Sequence, residues 1–261
     1  MTDSETFPSQ STDPLDHSAE PDLLTQSSAE SLTEDMALAV LQQRDLLPEA
    51  LEHFSKNVIV TKSRKLRFAL ASHPRAPRHL SLRLVREFYT IDLMRFALLP
   101  GVASDIKHAA DDLLLARLAS VTLGERISLA RRASGTVAAA LLLDKEARVW
   151  QTALENPRLT EAAVVKTLLS ATGNAAFVET LCQHSKWSLR PEIRMALLRN
   201  EKTPLGRALE FASTLPPAQL RDILYNSRLP EKIKMCVQKE LETRKRREER
   251  LPQDRLSEEK P

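Results

Sequence analysis

A short stop-turn-start signature recurs along this chain: His73-Pro74-Arg75-Ala76-Pro77, Asn156-Pro157-Arg158-Leu159-Thr160, Asn200-Glu201-Lys202-Thr203-Pro204 and Asn226-Ser227-Arg228-Leu229-Pro230. Each copy follows an Ala/Leu/Ile-rich stretch and precedes another. Helical segments of roughly 10–18 residues are marginal alone in water, so they must cover one another's apolar sides. Segments of that length joined by like turns predict a stack of helical repeats, in which each unit contacts its neighbours.

The turn residues have a physical reading. A helix commonly ends on a residue in the left-handed region, where Asn is the best tolerated residue after Gly, so the turn Asn is expected there. Pro77, Thr160, Pro204 and Pro230, four residues on, suit the first turn of the next helix, where a missing N–H costs nothing or a hydroxyl caps. A polar residue repeated at a repeated turn is assigned a structural role, its side chain satisfying backbone groups of the adjacent repeat. His73, Asn156, Asn200 and Asn226 take that role. His73 to Pro100 is 27 residues and Asn200 to Asn226 is 26, while the 44 from Asn156 to Asn200 breaks the rhythm. A longer helical pair or an insertion around Gly173-Asn174 would account for it.

The alternation of Ala-Leu-rich helices with Asn-Pro-x-x-Thr/Pro turns over about residues 60–240 resembles HEAT-like α-solenoid repeats, particularly the bacterial sort related to the leucine-rich repeat variant. The stretch Gly124-Glu125-Arg126-Ile127-Ser128-Leu129-Ala130-Arg131-Arg132-Ala133-Ser134-Gly135 and the Val137–Asp144 run are similar to segments of such proteins that carry no assigned function. The resemblance implies an all-α, HEAT-like α-solenoid of short helical pairs. It also implies adhesion more readily than chemistry.

Composition agrees, since five glycines and eleven aromatics suit a sheet protein poorly, whereas Leu, Ala, Arg and Glu lose little rotamer freedom in a helix. Residues 1–30, rich in Ser, Thr, Asp, Glu and Pro, read as a disordered acidic tail. The repeat domain is expected over 31–240, opened by a capping box at Ser31-Leu32-Thr33-Glu34. A charged helical extension that frays and ends near Pro252 is expected over 241–261. Leu80, Leu84, Val85 and Phe88 form one predicted core face, and Leu189, Ile193, Ala196 and Leu197 another. The longest apolar run, Val137–Leu143, is far short of a membrane span, and Cys182 and Cys236 suggest neither a disulfide nor a thiolate site. A cytoplasmic protein without a membrane partner is expected.

No phosphate loop, dinucleotide fingerprint, HExxH or GxSxG pattern occurs, so no catalytic residue, metal or cofactor is assigned. Cys182-x-His184 is too sparse for zinc and reads as a buried Cys beside a partly exposed His. Asp111, Asp112 and Glu155 are the acids nearest apolar runs, and Asp111 and Asp112 read as solvated. Trp150, Trp187, Tyr89 and Tyr225 are expected to pack in the core.

Charge supplies the binding candidates. The net charge is +3, but residues 1–35 hold nine acids and no Lys or Arg, leaving +12 on the remainder. Residues 56–86 carry nine Lys and Arg without one acid. Lys62, Arg64, Lys65, Arg67 and Arg75, with Arg131, Arg132, Arg148, Arg158, Arg190 and Arg194 near later turns, are the candidate binding residues; Arg199 belongs to the same series. A positive side of the stack would suit an acidic protein segment or phosphates. Two functions follow: a non-catalytic scaffold or adaptor for another protein, or a nucleic-acid-associated protein. Some HEAT-like folds are DNA-repair glycosylases; the only acid and aromatic pair for that variant is Asp144 with Trp150.

Overall fold

The computed structural model describes residues 33–170, 174–226 and 229–258, with side chains as far as Arg247 apart from Asn226. The tail expected over 1–30, the Ser31 cap and the side-chain role given to Asn226 lie outside the described residues. Within them the chain is all helical, with sixteen helices and no strand. It divides after Ala110 into two compact units.

The first unit holds α1 (Glu34–Leu41), α2 (Pro48–Phe54), α3 (Val58–Lys62), α4 (Arg64–Ala71), α5 (Arg78–Val85), α6 (Thr90–Ala97) and the start of α7 (Ser104–Arg117). Thr33 caps α1 by accepting from the Met36 amide. Asn57 and Ser63 cap α3 and α4 in the same way, so the chain breaks every few residues although no glycine intervenes. Helix α4 packs on α1 and α5. The Phe68, Phe88 and Phe96 rings meet at 5.5 to 6.0 Å between centroids and join α4 to the segment through α6. Leu80, Leu84, Val85 and Phe88 are buried together.

The second unit contains α8 (Leu123–Arg132), α9 (Gly135–Leu141), α10 (Ala147–Leu154), α11 (Glu161–Ser170), α12 (Ala175–Gln183), α13 (Pro191–Leu198), α14 (Leu205–Thr214), α15 (Pro217–Asn226) and α16 (Glu231–Glu258). Helices alternate between two rows. In row A, α10 packs on α8 and α16 on α14; in row B, α11 packs on α9 and α13 on α11. The Trp150 ring meets Phe177 edge to face at 5.4 Å, joining α10 to α12. Starts of successive helices in a row lie 24 to 30 residues apart. The first unit has two rows of its own, with α1, α4 and α6 in one and α2, α5 and α7 in the other.

Three details depart from the sequence reading. Helix α16 runs to Glu258 rather than stopping near Pro252. Leu189 lies in the turn before α13 and is exposed, while Ile193, Ala196 and Leu197 are buried. Trp150 and Trp187 are core residues, but Tyr89 and Tyr225 are exposed, at 63% and 84%.

Candidate functional site

Every α-helix ends with carbonyls that lack an intrahelical donor, and a stack of short helices has many of them. Here they are closed from the next repeat. Asn156 is 0% exposed, and its Nδ2 donates to Ala130 O at 2.8 Å and Ala133 O at 3.2 Å, at the end of α8. Its Oδ1 accepts from the Arg158 amide at 2.8 Å, and its carbonyl accepts from Leu159 N, so one side chain folds its own turn and ties off the helix before. His73 repeats the arrangement: Nε2 meets Gln43 O at 2.8 Å and Nδ1 accepts from Arg75 N. Asn200 does so between row-B helices, reaching Leu168 O at 3.3 Å while accepting from Lys202 N.

Because side-chain donors close these ends, no left-handed residue is needed. No described residue other than glycine has a positive φ, which corrects the expectation for the turn Asn. Pro77 and Pro204 likewise sit one place earlier than expected, as N-cap residues.

Sequence reading missed a further copy of the turn. His184 Nδ1 accepts from Lys186 N at 3.1 Å, and Trp187 Nε1 donates to Leu154 O at 2.9 Å. His184 follows Asn156 by 28 residues, so the apparent 44-residue gap is neither an insertion nor a longer pair: Asn200 belongs to the turns leading from row B to row A. The His-Ser-Lys triplet escaped notice because it shares no letter with Asn-Pro-Arg, although His73 had shown that His can stand for Asn.

Arginines extend the same joints. Arg75 Nη1 reaches Asp45 O at 3.1 Å and Arg158 Nη1 reaches Arg132 O at 3.4 Å. Arg207 meets Cys182 O, and Arg244 meets Ala212, Ser213 and Leu215 carbonyls at the end of α14. Arg194 bonds Ser188 O and Thr214 Oγ1 and stacks on Phe211.

In the first unit the basic run meets acids from outside its own window. Arg64-Lys65 and Arg78-His79 open α4 and α5, where positive charge opposes the helix dipole. Arg64 pairs with Asp92 at the start of α6, and Lys65 with Glu34 at the start of α1. Arg78 pairs with Asp105 at the start of α7, and His79 lies 3.1 Å from Glu52. Acid, base, acid therefore alternate along each row. Arg67 pairs with Glu87, and Arg83 reaches Ser55 Oγ. Lys62 is exposed.

Five exposed cations of the second unit stand at its A-to-B turns. Arg131 and Arg132 end α8, Arg158 and Lys186 stand in the next two turns, and Arg190 is the N-cap of α13; all five are exposed. The Arg158 contact to Arg132 O and the 3.1 Å approach of His184 to Glu155 place successive turns side by side. Glu155, Glu161 and Glu192 are interleaved with them. Arg148, exposed near the start of α10, lies at the opposite end of the row.

The candidate catalytic groups are occupied structurally. Asp144 accepts Arg126 Nη1 on both oxygens at 2.8 and 2.9 Å and also caps the Glu146 amide, while Trp150 is buried against Phe177. Burial pushes the Cys182 thiol up to about 11. Asp111 is buried, contrary to expectation, and its neighbour Asp112 is exposed. Among the described residues no group of three potential metal ligands occurs, and no helix is long and apolar enough to cross a membrane. No protein-family model matches the chain, and neither a curated protein nor a solved structure does.

Proposed function

We propose that this protein is a non-catalytic, HEAT-like interaction scaffold that holds an acidic segment of another protein along the A-to-B edge of its second unit. The observation that carries the reading is the series Arg131, Arg132, Arg158, Lys186 and Arg190 on successive turns, all five exposed and none within reach of a carboxylate in a salt bridge among the described residues, whereas Arg64, Lys65 and Arg67 are paired with carboxylates. Interleaved Glu155, Glu161 and Glu192 interrupt the positive series and favour a protein segment with spaced acids over the continuous charge of a phosphate backbone. Base stacking on this edge would need exposed aromatics beside its cations, and the ring next to them, Trp187 under Lys186, is a core residue; the exposed Tyr89 beneath Arg64 belongs to the first unit.

The test is an anisotropy titration of a glutamate-serine peptide and of single- and double-stranded DNA at two salt concentrations. Peptide binding that is weakened at least tenfold by combined Arg131→Ala, Arg132→Ala and Arg190→Ala supports the scaffold. DNA bound more tightly than the peptide, with a steep salt dependence, would replace it with the nucleic-acid reading. Binding of neither probe would remove both.

A further inference from the structure

The opposite edge of the second unit, where row-B helices end, carries a different pattern. Leu143 just after α9, Leu169 in α11, Arg199 at the end of α13 and Tyr225 in α15 follow one another at 26, 30 and 26 residues, the spacing of the row-B helix starts. Leu143 and Leu169 are 60% and 59% exposed and Tyr225 is more so. Arg199 lies 3.8 Å from Asp222, one turn before Tyr225, which places the last two members side by side. The same offset from the starts of α2, α5 and α7 falls on Lys56, Arg86 and Asp112, so the apolar series begins with α9.

We propose that this edge docks an extended, proline-rich segment of a partner protein in the polyproline II conformation, with apolar side chains at every third position and an acid opposite Arg199. The repeat distance decides the occupant. Packed helices stand about 8–10 Å apart, so the row presents one large side chain per roughly 9 Å. A polyproline II chain rises about 3.1 Å per residue with three residues per turn, which places like-facing side chains about 9.3 Å apart. A β-strand repeats on one face at about 6.7 Å and falls out of register after one repeat. An α-helix matches the distance only at every seventh residue, and its intervening apolar positions would lie over polar Lys145 and Lys166. Exposed Tyr225 and the lysines give such a segment an aromatic platform and charge complementarity for its acid.

The inference uses the edge remote from the cationic one and stands apart from the acidic-segment reading. Its probe is a labelled peptide of about ten residues with leucine at every third position, glutamate replacing one inner leucine, and proline elsewhere; a second peptide moves the glutamate to the other inner position to cover both chain directions. Titrated against the full chain, one of them is expected to bind at least tenfold more tightly than a peptide of the same composition with leucines at alternate positions. Leu143→Ser, Leu169→Ser and Tyr225→Ser are exposed changes that leave melting unaltered, and each should weaken binding roughly three- to tenfold. Arg131→Ala with Arg132→Ala should leave it unchanged, which separates this site from the cationic edge. Equal binding of both spacings, full affinity when Leu143→Ser, Leu169→Ser and Tyr225→Ser are combined, no binding at all, or tighter binding of a helical probe with leucine at every seventh residue would overturn the proposal.

Discussion

Replacing Asn156 should be among the most damaging single polar changes in the chain. The side chain is inaccessible to solvent and makes three hydrogen bonds, two to carbonyls at the end of α8 and one from the Arg158 amide. Each buried group left without its partner costs about 1–3 kcal/mol, so Asn156→Ala should lose about 3–5 kcal/mol. Asn156→Asp keeps the volume but turns an acceptor toward two carbonyls, and should cost at least as much. Asn200 is only half-buried and reaches one carbonyl, so Asn200→Ala should cost about 1 kcal/mol. Both tryptophans, Trp150 and Trp187, lie in the second unit, so tryptophan fluorescence during heating reports that unit alone. At about 2–4 °C per kcal/mol for a unit of this size, Asn156→Ala should melt roughly 6–20 °C early. An Asn156→Asp protein as stable as the parent, or an Asn200→Ala protein hurt as badly as Asn156→Ala, would refute the assignment.

Gly135 opens α9 where a Cβ would stand 2.5 Å from the Arg158 carbonyl, so Gly135→Ala should cost about 1–3 kcal/mol by displacing backbone. Gly124 and Gly206 have open space, and alanine at either should raise the melting temperature slightly. The Arg78 hydrogen bond holds the Asp105 carboxyl below its ordinary value; the stabilisation is complete above the unfolded-state value and is lost as pH falls through the folded one. An NMR titration should place the Asp105 midpoint under 3.8, and Arg78→Ala should raise it. Burial keeps the Cys182 thiol protonated, so iodoacetamide at neutral pH should modify the half-buried Cys236 and spare Cys182 until the unit unfolds; equal labelling of native protein would contradict this.

What could be read in advance was local. The Asn-x-x-x-Pro/Thr turns and the 3.6-residue periodicity depend on residues within one window, and they predicted the all-helical chain and the burial of Leu80, Leu84, Val85 and Phe88. Partners from a distant window escaped. The run over 56–86 looked like an uncompensated positive surface because Glu34, Glu87, Asp92 and Asp105, which meet it, lie outside that stretch. The left-handed Asn was expected for the same reason: the donors that close each helix end come from 23 to 33 residues along the chain. Tyr225 and Leu169 carry no local sign of exposure, since only the register of row-B helix ends distinguishes them from core residues of the same type.

Residue-resolved hydrogen exchange of the native protein tests the joint itself. Turn amides ordinarily exchange quickly, but those of Arg75 and Arg158 donate to His73 Nδ1 and Asn156 Oδ1. The account predicts protection at both amides comparable to the adjoining helices. Rapid exchange there, beside protected helices, would show that these side chains do not fasten one repeat to the next.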